Sequence, residues 1–329
     1  MTNYLFQYKM YSIRIDRIIW KFSRRIYMKI STQNNYNLYV IGVLSLIISA
    51  ILSSISQVYY ANRVQAVHPF LFTGVSFLIT TLYFQFFATR QKTHVQWQQA
   101  TPPLLKLNIA SILAFMGFYF ALKYIEPAIV SSLEMGLGPL FVILIAIQQK
   151  QAVKRAQLII AMGTLGACLV LIYAVFTGKS AMLMWNQFSI LGVLASILCG
   201  LGAVLCTLYS KQLSELGWTS SMILSKRFYG IITLSLIATY DVLLNYLLAN
   251  IGWVLLMTLL GVLVPMYLLQ KGIHYCEPFL VMMSLCFIPV FTFFFQLFDS
   301  RLQWSTMTFV GVILLLFLGM TSLYVDRKQ

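Results

Sequence analysis

Tyr124-Ile125-Glu126-Pro127 and Tyr275-Cys276-Glu277-Pro278 are near-copies of one tetrapeptide, 151 residues apart. Each opens a long apolar run, and each run carries a proline near its middle, Pro139 and Pro289, 150 residues apart. The same offset of 150 aligns Ile41-Gly42-Val43-Leu44 with Leu191-Gly192-Val193-Leu194 and Tyr59 with Tyr209, while Gly163 and Gly311 are 148 apart. Any one of these matches is commonplace in apolar helices. Several at one offset point to a duplicated chain.

The runs that carry these motifs have the length of membrane helices. About 20 apolar residues at 1.5 Å rise cross the hydrocarbon core. Ten such runs lie near 38–61, 68–88, 104–122, 127–148, 157–177, 188–210, 219–239, 248–270, 276–298 and 304–324, joined by short polar connections. The run after 219 is the least clear, because it contains Lys226, Arg227 and Asp241. Composition agrees: 60% of the 329 residues are hydrophobic, 9% are charged, and mean hydropathy is +0.83. A soluble domain keeps roughly a quarter of its residues charged. A duplicated unit of five spans must enter the bilayer the second time with opposite polarity. Inverted repeats of this kind supply two nearly equivalent states, one open to each side. The expected fold is therefore an all-α integral membrane protein with ten transmembrane helices in two inverted five-helix repeats. Residues 1–37 form a basic tail, 38–177 the first repeat, and 188–329 the second repeat with a short C-terminus.

The net charge of +15 does not indicate nucleic acid, because the charges form no face. Seven of the 23 Lys and Arg residues lie in the first 37, and most others sit between apolar runs. With the N-terminus inside, the inner side carries 16 of them and the outer side 4, so both termini are predicted cytoplasmic. The tail lacks the compact apolar core and cleavage site of a secretory signal. Its segment 13–28 suits an anionic membrane surface, and equally Met28 serves as a start. The five cysteines have no metal-ligand or disulfide spacing and read as small packing residues. His68, His94 and His274 lie far apart at run edges with no carboxylate cluster. No phosphate loop, serine elbow or carboxylate dyad is present, so no enzyme activity, cofactor or metal is expected.

The stretch Ala121-Leu122-Lys123-Tyr124-Ile125-Glu126-Pro127-Ala128, followed by Ser131-Ser132-Leu133-Glu134 and Gly138-Pro139-Leu140-Phe141, resembles the third-to-fourth helix region of the drug/metabolite transporter superfamily, in particular its EamA-like members. Arg227-Phe228 in the seventh run is similar to an Arg-Phe pair of that family. Two departures stand out. Gln148-Gln149-Lys150 occupies the place where many members end the fourth span with an acidic residue, and Ser76-Phe77 stands where the second span often has Arg-Phe. The resemblance implies export or exchange of a small metabolite, such as an amino acid or amine, through a central cavity. The expected partners are a small-molecule solute and the lipid bilayer, with a homodimer as an open option. The expected location is a multi-pass position in the cell (inner) membrane. A membrane scaffold that moves no solute is the alternative.

Individual residues sharpen the expectation. Pro139 and Pro289 each remove a backbone donor, freeing the carbonyls of Met135 and Leu285. Paired helix breaks in the two halves point to a midplane site, or else to kinks that improve packing. Glu134 lies seven residues into its span, about 10 Å down. A bare carboxylate there is costly, so it is protonated, paired or facing water. It is the candidate coupling or amine-binding group, with Lys226 or Arg227 as structural partners in the competing reading. Arg227 is the candidate anion site, although long basic chains at that depth can snorkel to the interface. Gln57 and Tyr59 in the first span, Tyr209 in the sixth, and the aromatics Phe115, Phe118, Tyr119 and Tyr267 complete the candidate cavity. Spans one, three and four, with their mates six, eight and nine, are expected to surround it.

Overall fold

The computed structural model describes residues 33–63, 68–88, 97–182, 187–277, 281, 284–285 and 287–327. The basic tail through Lys29, its segment 13–28, and Arg90, Lys92, His94, Trp185, Pro278 and Cys286 lie outside the described residues. The chain divides into two units, Met1–Ile41 and Gly42–Gln329. The described part of the first is the opening of one helix. Everything below concerns the second.

Among the described residues every regular element is helical. Helices α1 (Gln33–Arg63), α2 (Pro69–Ala88), α3 (Trp97–Tyr124), α4 (Pro127–Gln148), α5 (Arg155–Phe176), α6 (Gln187–Glu215) and α7 (Ser220–Thr239) precede α8, which begins at Leu243 and ends at Tyr275. Two more helices follow, a short α9 (Ile288–Gln296) and α10 (Thr306–Arg327). Among the described residues, α1 to α8 are long and apolar enough to cross a membrane, which makes this a multi-pass membrane protein. The ninth and tenth expected spans are described only in part: α9 covers nine residues, and the described apolar part of α10 is Thr306–Thr321. Outward-facing apolar side chains such as Ile159, Ile237 and Phe317 remain exposed, as lipid contact requires.

Local chemistry sets where the helices start, break and bulge. Proline disfavours the helical region for its predecessor. Glu126 is accordingly extended (φ −63°, ψ 145°), and Pro127 occupies the first turn of α4, where its missing N–H costs nothing. Helix α4 is interrupted at Leu137, between Gly136 and Gly138-Pro139. Helices α3 and α8 each contain a π stretch, Ile112–Met116 and Thr258–Leu263. The second lies just ahead of Pro265, which has no N–H to continue the ladder.

Helix α6 is the spine against which α3 and α4 pack. The approach is close because Gly202 and Gly200 lack side chains. A Cβ on Gly202 would lie 2.5 Å from the Ala114 nitrogen, inside the π stretch of α3. One on Gly200 would lie 2.9 Å from the Glu134 carbonyl oxygen. Helix α7 packs along α2, α9 along α4, and α10 along α5.

Two corners close the bundle at its opposite ends. At one, the Glu126 carboxylate is fully buried, accepts from the Ala181 N–H, and accepts from Gln296 Nε2 at 3.3 Å. Gln296 Oε1 in turn accepts from the Ala128 N–H at 3.2 Å. Burial pushes the Glu126 carboxyl above its ordinary range, against the opposing pull of those hydrogen bonds. Nearby, Asp299 and Arg301 pair at 2.5 Å, Arg301 Nη1 donates to the Ala61 carbonyl at 2.9 Å, and Asn62 Nδ2 donates to Asp299 Oδ1 at 3.2 Å. Partial burial pushes the Asp299 carboxyl up, but the Arg301 guanidinium outweighs it and holds the group below its usual value. At the other corner Glu277 is exposed, and Lys211 Nζ caps the end of α8 by donating to the carbonyls of His274 (3.1 Å) and Cys276 (3.0 Å).

Candidate functional site

Where α4 is interrupted, the turn before the break faces an internal cavity. This has about 90 Å³ of room for the centres of water-sized molecules, enough for several waters or the polar end of a small solute. Its walls come from α1 (Ser49, Ser53, Ser56, Gln57, Tyr60), α3 (Phe115, Phe118, Tyr119), α4 (Glu134, Met135) and α8 (Met257 to Leu269), with Phe72 from α2 and Leu285 and Ile288 near α9. The expectation that α6 lines it is not met. Helix α6 stands behind α4 instead, held there by Gly200, and Cys199 is the polar neighbour of the Glu134 carboxyl. Helix α2 takes the vacated wall position through Phe72.

Hydrogen bonds that cross between helices fix the wall. Ser49 Oγ donates to the Pro265 carbonyl at 2.8 Å, joining α1 to the part of α8 just after its π stretch. Ser54 Oγ contacts the carbonyls of Ala50 (2.7 Å) and Ile288 (3.1 Å), and Thr292 Oγ1 donates to Gln57 Oε1 at 3.1 Å. The serine-rich face of α1 therefore looks inward. Among the described lining residues Glu134 is the only one with an acidic side chain, and it sits among Tyr119, Phe115, Phe118 and three methionines, Met135, Met257 and Met266. A carboxylate beside aromatic faces is chemistry suited to an ammonium group with an apolar body.

The nine residues singled out from the sequence divide cleanly. Glu134, Gln57 and Tyr119 line the cavity. Pro139 and Pro289 are buried and do not line it, but Met135 and Leu285, four residues before each, do. Tyr59 is 44% exposed on the outer face of α1, and its neighbour Tyr60, 1% exposed, takes the place expected for it. Tyr267 stacks on Phe84 of α2, with ring centroids 5.7 Å apart, away from the cavity. Tyr209 is half-buried near the end of α6, with Lys106 Nζ 5.8 Å from its ring centroid.

Arg227 contradicts the snorkelling expectation. It is 2% exposed, pointing inward from a break in α7 between Leu224 and Tyr229. Asn108 of α3 holds that break: its Nδ2 donates to the Lys226 carbonyl at 3.0 Å and its Oδ1 accepts from the Gly230 N–H at 3.2 Å. Arg227 does not pair with Glu134. Phe115 lies between the cavity it lines and the guanidinium, 5.6 Å from its ring centroid. The residues missed from the sequence are Ser49, Phe72 and the Gly261–Pro265 turn. Pro265, a third proline in mid-span, was the available signal.

The EamA-like transporter family matches residues 40–185, from early in α1 through α5 and the loop after it. That match bears out the resemblance read from the sequence. No curated protein matches the chain. A solved structure described only as a crystal structure of a protein is 17% identical, with a TM-score of 0.61 over 89% of this chain and 98% of that one, and shows a shared fold.

Proposed function

From an EamA-like transporter segment over residues 40–185, we propose that the chain is a secondary transporter with ten spans in two inverted five-helix repeats. It moves a small metabolite outward by alternating access from a cell (inner) membrane, with both termini cytoplasmic. Three structural parallels support the repeat. The π stretches of α3 and α8 begin 146 residues apart, both proline breaks fall four residues after a cavity-lining residue, and α2, α4 and α5 pack along α7, α9 and α10. The Lys and Arg asymmetry between the two sides supports the orientation.

The observation that carries the substrate reading is Glu134, a lone carboxylate in a wall of serines, aromatics and methionines. The solute class it suits is an amine, or an amino acid recognised through its ammonium group. Glu134 is either the recognition group or the coupling group, and Gln57 and Tyr119 position the solute beside it.

Flux in proteoliposomes loaded with labelled amines and amino acids tests this. Glu134→Gln is expected to lower transport at least ~10-fold, the size of a lost hydrogen bond to a charged group, and to flatten its pH dependence. Unchanged transport with an unchanged pH profile would remove Glu134 from the mechanism. No flux and no solute-dependent thermal shift across amines, amino acids and nucleotides would favour the scaffold reading.

A further inference from the structure

Arg227 is a buried cation with no counter-charge among the described residues. Among the described residues no carboxylate pairs with it: the Arg301–Asp299 bridge is elsewhere, and Glu134 lies on the far side of Phe115. Its partners are neutral. Nε donates to Ser111 Oγ at 3.3 Å, Nη1 donates to Gln270 Oε1 at 3.2 Å, and the guanidinium also hydrogen-bonds the Cys206 sulfur. The rings of Phe115 and Phe228 stand 5.6 Å and 5.2 Å away. Nη2 donates to no oxygen among the described residues.

Gln270 supplies the second, independent observation. It is fully buried, and its Nε2 has no hydrogen-bond partner. Turning the amide over would set its NH₂ against the guanidinium, donor against donor, so the carbonyl must face Arg227. The orphan N–H group is on the same amide carbon and therefore lies beside the cation. A positive charge and an unused donor are left side by side in a low-dielectric wall, an arrangement that is costly unless something accepts from both.

We infer that Arg227 and Gln270 form a site for a small monoanion, a halide or a carboxylate group, between α3, α7 and α8. The anion accepts from Arg227 Nη2 and Gln270 Nε2 and neutralises the charge. Phe115 is the wall between this site and the central cavity, so the anion occupies a place separate from the Glu134 wall. The inference does not depend on the transport reading.

The purified full-length protein, heated in detergent at fixed pH and ionic strength, provides the test. Chloride or acetate is compared with a bulky sulfonate buffer anion that is too large for the site. Tm is expected to rise by ~2–3 °C when the small anion is tenfold above its Kd. Gln270→Glu builds a carboxylate beside Arg227, so this variant is expected to fold and to lose the anion-dependent shift. A shift with both anions identifies a free-ion site, and a shift with acetate alone identifies a carboxylate of a solute. No shift in the wild type, or a full shift retained in Gln270→Glu, overturns the inference. A protein that shows the shift but moves no solute keeps the anion site and loses the transport reading.

Discussion

The corners at Glu126 and Glu277 carry the same Glu-Pro dipeptide and do different things. Glu126 is fully buried and wired through the Ala181 N–H and Gln296 to the starts and ends of other helices. Glu277 is exposed and makes no side-chain hydrogen bond among the described residues, and its corner is held by Lys211 from α6. The shared motif thus preserves what proline dictates locally, an extended residue and a fresh helix start. It does not preserve the partners. One end of the bundle is a polar network, and the other hangs on one lysine.

The largest effect is expected from Glu126→Ala. It strands the buried Ala181 N–H and a Gln296 donor, at about 1–3 kcal/mol for each buried group left unpaired, and thermal unfolding in detergent should show a drop in Tm of several degrees. A change as small as a surface substitution would mean that the buried corner carries no more than the exposed one. Next comes its pH dependence. Because burial holds the folded Glu126 pKa above the unfolded value, its favourable contribution is complete below the ordinary carboxylate range. It is lost as pH rises through the folded value. Glu126→Gln should remove that slope from a plot of Tm against pH, and a slope left intact assigns it to other groups. Lys211→Met should cost about 1 kcal/mol by uncapping two carbonyls at the end of α8. Hydrogen exchange at residues 272–276 would register this as local loosening. Glu277→Gln should stay within ~0.5 kcal/mol of wild type. A larger loss would make the two corners equivalent after all.

The spans, their number through α8 and the break in α4 were legible because hydropathy, Gly136, Gly138 and Pro139 act locally. Rotation about the helix axis was not legible. Tyr59 and Tyr60 differ by one position, about 100° on a helix, and in α1 apolar residues face lipid and protein alike. Pattern alone could not choose between them. The burial of Arg227 was not legible for another reason: snorkelling assumes an unbroken helix, and the α7 break depends on Asn108, 119 positions away. The inward position of Glu134 was legible because a carboxylate in a span is expensive wherever its helix faces. Helix α2 was missed as a wall because Phe72 looks like any other apolar residue of a span.

The π stretch in α3 has a consequence for insertions and deletions. A turn closed from i to i+5 holds one residue more than its α-helical counterpart, so 112–116 stores one extra residue. Deleting any one of the five would leave hydropathy and span count almost unchanged. It would let the bulge close to an ordinary α-helical turn, so Gly117–Tyr124 would keep their facing and Phe118 and Tyr119 would stay on the cavity wall. In this protein a one-residue gap at 112–116 can thus leave the binding surface in place, where the same gap in an unbulged span would turn that surface by about 100°.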